Sequence, residues 1–214
     1  MDNIPLCLVE KKVSPINLNA ECDFSSLLMV FRRILKSIET MKTPNMTEPI
    51  SDSIPYKIAF VLIPRFNMMA LSATLEPMRV ANYIAGRKLY DWRFLSVDGK
   101  NVIASNGMEL ATKAFEQAGE QWKAIFVCGS WGSEHFEDAE LFAWLRRMDR
   151  FGIRLGSMDI GTYILARAKL LSGYRVAILW YCIQAFQEAY PNTMAEDKLF
   201  IIDRKRTTIA GGAA

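Results

Sequence analysis

Residues Ile153 to Leu171 read IRLGSMDIGTYILARAKLL. An apolar, strand-like run enters a sharp polar turn, Ser157-Met158-Asp159-Ile160-Gly161, and a helical pattern leaves it. A strand that feeds a helix through a tight turn displays the turn residue at the carboxyl edge of the sheet, where open α/β folds place their ligands. The displayed residue is Asp159. Hydrolases of this geometry carry Ser or Cys there, because an exposed hydroxyl or thiol is the nucleophile. A carboxylate points away from acyl transfer and towards recognition.

Upstream of this turn the chain alternates between strands and helices. KIAFVLI, from Lys57, is a continuous apolar run that fits a strand buried on both faces. PRFNM reads as the loop after it, and Ala70 to Ala85 as a helix with Leu71, Leu75, Met78 and Ile84 on its apolar face. Pro77 is expected to disturb the first turns of that helix, which would leave Glu76 near the strand-to-helix transition at the ligand edge. DWRFLSV is a strand, and VIASNGMELAT holds two short extended pieces around Asn106-Gly107. FEQAGEQW is a short helix or turn, KAIFVC the next buried strand, GSWGSEH a glycine-bearing loop at the same edge, and Glu137 to Arg150 a helix.

Downstream, YRVAIL is a short strand and WYCIQAFQEAYP a helix stopped by Pro191. KLFIID and RTTIAG form a closing strand pair. The alternation predicts an α/β three-layer sandwich with a mostly parallel central sheet.

Residues 1–55 read differently, as an extension of linkers around one amphipathic helix, Phe24 to Met41, with Arg32, Arg33 and Lys36 off its apolar face. Such a helix suits docking on its own domain or a dimer mate, a partner, or a membrane surface. Residues 56–214 form the main domain. Of 214 residues, 51% are hydrophobic, ample for a core, and the net charge of +3 is spread without the dense basic run of a nucleic-acid footprint.

Cys7, Cys22, Cys128 and Cys182 lack zinc-ligand spacing and read as reduced thiols; no metal or cofactor is expected. No apolar run reaches the roughly 18 residues of a membrane span, and the start MDNIPLCLVEKK lacks the pattern of a secretory signal. The expected location is cytoplasmic, without membrane association.

Several stretches together carry a family resemblance: FVLIPRFNMMALSATLEPMRVAN (Phe60 to Asn82), IFVCGSWG (Ile125 to Gly132), LGSMDIGTYILARAKLLSGYRVAILW (Leu155 to Trp180) and the closing TIAGGAA. The domain resembles the PfpI-type, class I glutamine-amidotransferase-like domain at the amino terminus of AraC-family transcription regulators. It looks most like the branch that senses quaternary amines and basic amino-acid metabolites such as glycine betaine, carnitine or arginine. The resemblance implies a flavodoxin-like fold and a likeness to enzymes that place a Cys at the turn, a Glu beside it and often a His nearby. Carried onto this chain, the turn position is Asp159, the Glu position is Glu76, and Leu179-Trp180 stands where the regulators show His-Trp. The one histidine, His135, lies in the loop after GSWG. Nucleophile and base are both missing, so no enzymatic activity is expected.

The resemblance further implies a homodimer, and a final helix followed by a helix-turn-helix domain that reads DNA. The chain stops at Gly211-Gly212-Ala213-Ala214, where that helix is expected to begin, so DNA contact is expected only through a domain beyond it.

The expected ligand site gathers Asp159, Glu76, Trp131, Trp180, Gly129 and Ser130 at the sheet edge. Carboxylates and indoles suit a small-molecule cationic effector, because a methylated ammonium is held by aromatic faces and nearby negative charge. Simpler readings stand beside these: Asp159 as a helix cap, Glu76 paired with Arg79, Trp180 in the core. The leading function is a non-enzymatic ligand sensor and dimerisation domain. A PfpI-like hydrolase and an inert remnant of a shortened regulator are the alternatives.

Overall fold

A computed structural model describes residues 54–118 and 121–211. The predicted helix at 24–41, and Cys7 and Cys22, lie outside the described residues, which belong to the second of two units of the chain, residues 53–214.

The strands are β1 (Tyr56–Leu62), β2 (Tyr90–Ser96), β3 (Val102–Ile103), β4 (Glu109–Leu110), β5 (Lys113–Ala114), β6 (Ala124–Cys128), β7 (Arg154–Met158), β8 (Arg175–Ala177), β9 (Met194–Glu196), β10 (Phe200–Asp203) and β11 (Arg206–Ile209). Seven of them form one sheet in the order β10-β11-β7-β6-β1-β2-β5, parallel except for the β10–β11 hairpin. The α-helices are α1 (Met68–Ala85), α2 (Ala139–Arg150), α3 (Gly161–Arg167) and α4 (Ile183–Ala189).

Strand periodicity divides the core between the two faces of the sheet. Ile58, Phe60 and Leu62 of β1 pack with Ala70 and Leu71 of α1. The alternate residues Ala59 and Val61 join Ile125, Val127 and Leu155 in a cluster with Leu141 and Leu145 of α2, Ile164 and Leu165 of α3 and Phe186 of α4. Helices on both faces make the three-layer sandwich expected from the alternation of elements, and they explain why β1 and β6 read as continuous apolar runs.

The chain runs outward from β1 to β2, then returns across β1 to β6 and β7. The order therefore reverses between β1 and β6, and open α/β sheets bind ligands at the carboxyl ends of the strands beside such a reversal.

One expectation is corrected, and one element is added. Pro77 does not disturb the start of α1: the helix is continuous from Met68 to Ala85, with Pro77 on its exposed side. Glu76 is consequently a mid-helix residue, well past the strand-to-helix transition. Also, Met194–Glu196 is a strand, paired in parallel with β8 in a small two-stranded sheet separate from the β3–β4 pair. The Ala177 N–H at the end of β8 donates to Thr208 Oγ1 at 2.7 Å, tying that sheet to β11.

Candidate functional site

Three loops after β1, β6 and β7 meet at the carboxyl edge, joined by the 3-10 turn Trp180–Cys182 and the approach to β10. They enclose a cleft of about 1050 Å³, near the upper end of the roughly 300–1,000 Å³ usual for small-molecule sites.

The floor is Asp159. It is only 3% exposed and has a left-handed backbone, φ 55°, a conformation that Asp tolerates and β-branched residues resist. The turn is pinned on several sides. The Asp159 N–H donates to Ile209 O at 2.9 Å, and the Ser157 and Thr162 hydroxyls share a hydrogen bond of 2.8 Å. A close approach behind the turn requires glycine: a Cβ on Gly161 would stand 2.4 Å from Val127 O, and one on Gly129 would stand 2.7 Å from Gly161 N. This contact lets β6 and the start of α3 come together.

Among the described residues the Asp159 carboxylate has two donors. Oδ1 accepts from the Ile160 N–H at 2.8 Å and Oδ2 from Asn67 Nδ2 at 2.7 Å. Burial raises the carboxyl above its ordinary value, and the bonds from Asn67 and Ile160 oppose that rise. The helix-cap reading of Asp159 is not what forms. Ile160 occupies the cap position of α3 without a side-chain bond, and the Asp159 carboxylate reaches no N–H inside that helix, bonding the Ile160 N–H and Asn67. Asn67 is the true cap of α1: its Oδ1 accepts from the N–H groups of Met69 and Ala70 at 3.0 and 3.2 Å. That fixes the amide's orientation, because the oxygen faces the helix and the NH₂ must face Asp159.

Asp159, Ser130, Trp131 and Trp180 all line the cleft, as does Leu179. Trp131 and Trp180 are 67% and 70% exposed, so neither indole is a core residue. Trp131 Nε1 donates to the Tyr181 hydroxyl at 2.7 Å, and the Tyr181 ring meets the Trp180 ring edge-on at 5.7 Å, so three aromatic side chains form a connected wall. Gly129 is not a lining residue; it supplies the close approach that carries Ser130 and Trp131 to the edge.

Glu76 is not brought to the site. It is absent from the cleft's lining, and its carboxylate takes Arg79 Nε at 2.7 Å on the exposed side of α1. The residue from the first strand–helix loop that stands beside the turn is Asn67, nine positions earlier. Its signal was an Asn directly before a helical pattern, the ordinary mark of a helix N-terminus. Tyr181, Arg65 and the hairpin residues Leu199 and Phe200 also line the cleft. Arg65 carries a detectable peculiarity only in three dimensions, φ 66°, and the hairpin residues reach the edge through tertiary packing alone.

Cys128 and Cys182 are buried, and burial pushes the Cys128 thiol far up. His135 sits on the surface with a side-chain exposure of 72%. Among the described residues no cluster of His, Cys, Asp and Glu could hold a metal ion, and no helix is long and apolar enough to cross a membrane.

No family model matches the chain. It is 38% identical over 166 residues to the HTH-type transcriptional regulator GbdR of Pseudomonas aeruginosa, a match spanning 78% of this chain and 45% of that protein. The chain thus spans about half the length of the curated relatives it matches. Among solved structures, an AraC family transcriptional regulator from Pseudomonas putida superposes with a TM-score of 0.68 at 27% identity, covering 74% of this chain and 85% of that one. A ThiJ/PfpI family protein from Pseudomonas syringae shares the fold, with a TM-score of 0.61 at 22% identity over 81% and 71% of the two chains. The chain is therefore similar to the part of these HTH-type and AraC-family regulators that it spans, and its domain has the ThiJ/PfpI-like α/β fold.

Proposed function

We propose that residues 56–214 are a non-enzymatic effector-sensing domain that binds a small cationic amine over Asp159. The observation that carries this reading is a cleft whose floor is a buried carboxylate with no cationic side chain bonded to it among the described residues and whose wall is Trp131, Tyr181 and Trp180. A carboxylate satisfied only by an amide and one N–H keeps negative charge that a cation complements. Each aromatic face adds roughly 0.5–2 kcal/mol to a desolvated ammonium. The turn carries Asp instead of Cys, and the described thiols are buried away from the cleft, which supports a binding role over thiol chemistry.

In the whole regulator, effector binding shifts a conformational equilibrium reported by a DNA-binding domain outside this chain, which requires different affinity for the two states. Homodimerisation through this domain, a cytoplasmic location and a separate role for residues 1–55 belong to the same reading. A thermal-shift screen tests the ligand class. Glycine betaine, carnitine or arginine at a hundred times its Kd raises stability by about 2.7 kcal/mol. Stabilisation by neutral or anionic metabolites, and by none of the three amines, overturns the reading.

A further inference from the structure

The aromatic wall is held from outside the cleft. Trp131 is largely exposed, and among the described residues its side chain hydrogen-bonds to Tyr181 alone, so its place depends on the backbone of the loop that carries it. That loop has internal ties: the Ser130 N–H donates to Ser133 Oγ at 3.0 Å and the Gly132 N–H to Glu134 Oε2 at 2.8 Å. At its start the loop is tied to the rest of the domain through Gly129, whose O accepts from the Asn67 N–H at 3.2 Å and whose N–H donates to Met158 O at 3.4 Å. Beyond Trp131, Phe136 packs against the core and Arg167 supplies the side-chain hydrogen bonds. The guanidinium donates to Glu134 O, to Phe136 O at 3.4 Å and to Glu137 Oε1 at 3.0 Å. The Arg167 side chain is 16% exposed and lies outside the cleft's lining.

Arg167 is the last residue of α3, and α3 begins two residues after Asp159. One short helix therefore joins the carboxylate floor at its start to the Trp131 loop at its end. We infer that Arg167 is a positioning residue for the effector site: it fixes Trp131 relative to Asp159 without touching the ligand. The planar fork of Arg spans two carbonyls and a carboxylate at once, whereas Lys carries its three donors on a single nitrogen and does not reproduce that spread. Holding the wall in place before binding spares the ligand the ordering of that loop, which is a gain in affinity with no added contact.

This inference rests on the amine-binding reading for its consequence, and the test separates the two. Wild type, Arg167→Ala and Arg167→Lys are compared by hydrogen exchange of residues 129–137, by thermal melting, and by calorimetry with glycine betaine, each also in a Trp131→Ala background. The expected result is faster exchange confined to 129–137 in both Arg167 variants, with a cooperative melt retained in at least Arg167→Lys. Betaine affinity falls about 3- to 10-fold with Trp131 present, and Arg167 replacement has no further effect in the Trp131→Ala background, as coupling through Trp131 demands. Unchanged exchange of the loop overturns the inference, and so does an equal loss of affinity with and without Trp131. If wild type binds no amine, the proposed function fails, and the exchange of 129–137 still decides whether Arg167 holds the wall.

Discussion

Asp159 is held in a state that opposes stability. Its folded carboxyl is raised by burial, so the folded protein favours the protonated form, and that contribution is present below the ordinary value of 3.8 and is lost as pH rises through the folded value. Asp159→Asn keeps a residue that accepts a left-handed backbone, removes the charge, and retains one oxygen, which serves either Asn67 or the Ile160 N–H but not both. The variant is expected to be more stable than wild type at pH 7 by about 0.5–2 kcal/mol, the usual gain when a functional strain is relieved. The gap should close below about pH 3.8. Urea denaturation of both proteins at pH 7 and pH 3.5 checks this; a gap independent of pH contradicts the burial argument.

Asn67 makes the opposite prediction. Asn67→Ala loses the α1 cap, worth about 1 kcal/mol, and one of the two donors that hold the Asp159 carboxyl down. Stability falls, and the Asp159 titration followed by carboxyl carbon NMR moves to higher pH. The sequence displayed Asp159 plainly, because a strand, a polar turn and a helical run stand in one continuous stretch. It points to Glu76 as the partner, because the family's Glu position falls there and Pro77 is expected to disturb the helix's first turns, while Asn67 lies in PRFNM, which reads as loop.

Among the elements, the junction of β6, β7 and α3 depends on two glycines packed against each other. Gly161→Ala would place a methyl group 2.4 Å from the Val127 carbonyl oxygen, and only backbone movement relieves that contact. A loss of about 1–3 kcal/mol in equilibrium unfolding, typical of overpacking, is expected. A loss of under about 0.5 kcal/mol, the level of an ordinary surface change, would show that the junction has slack. The strands of this junction were easy to see in the sequence, because parallel strands covered on both faces become unbroken apolar runs such as KIAFVLI and KAIFVC. β9 was not, since Met-Ala-Glu is three residues long, has no alternation, and is a strand only because β8 lies beside it.

For the whole molecule, the reversal of strand order between β1 and β6 concentrates function at one place. Loops from β1, β6 and β7 deliver Asn67, Trp131 and Asp159 there, and the closing hairpin adds Leu199 and Phe200. Order of elements could be read from the chain, so the loops that meet were foreseeable. Which side chains within them face the cleft was not, since Tyr181 and Phe200 reach it through packing between distant segments. The central claim is that the Asp159 charge selects a cationic effector. Isothermal titration of wild type and Asp159→Asn with glycine betaine, carnitine and arginine tests it most directly. Saturable binding of at least one amine by wild type, weakened about 10-fold or more in the folded Asp159→Asn protein, as loss of a buried charge partner implies, is the predicted result. Equal affinity of the two proteins for every amine that binds, or no amine binding to wild type, contradicts it.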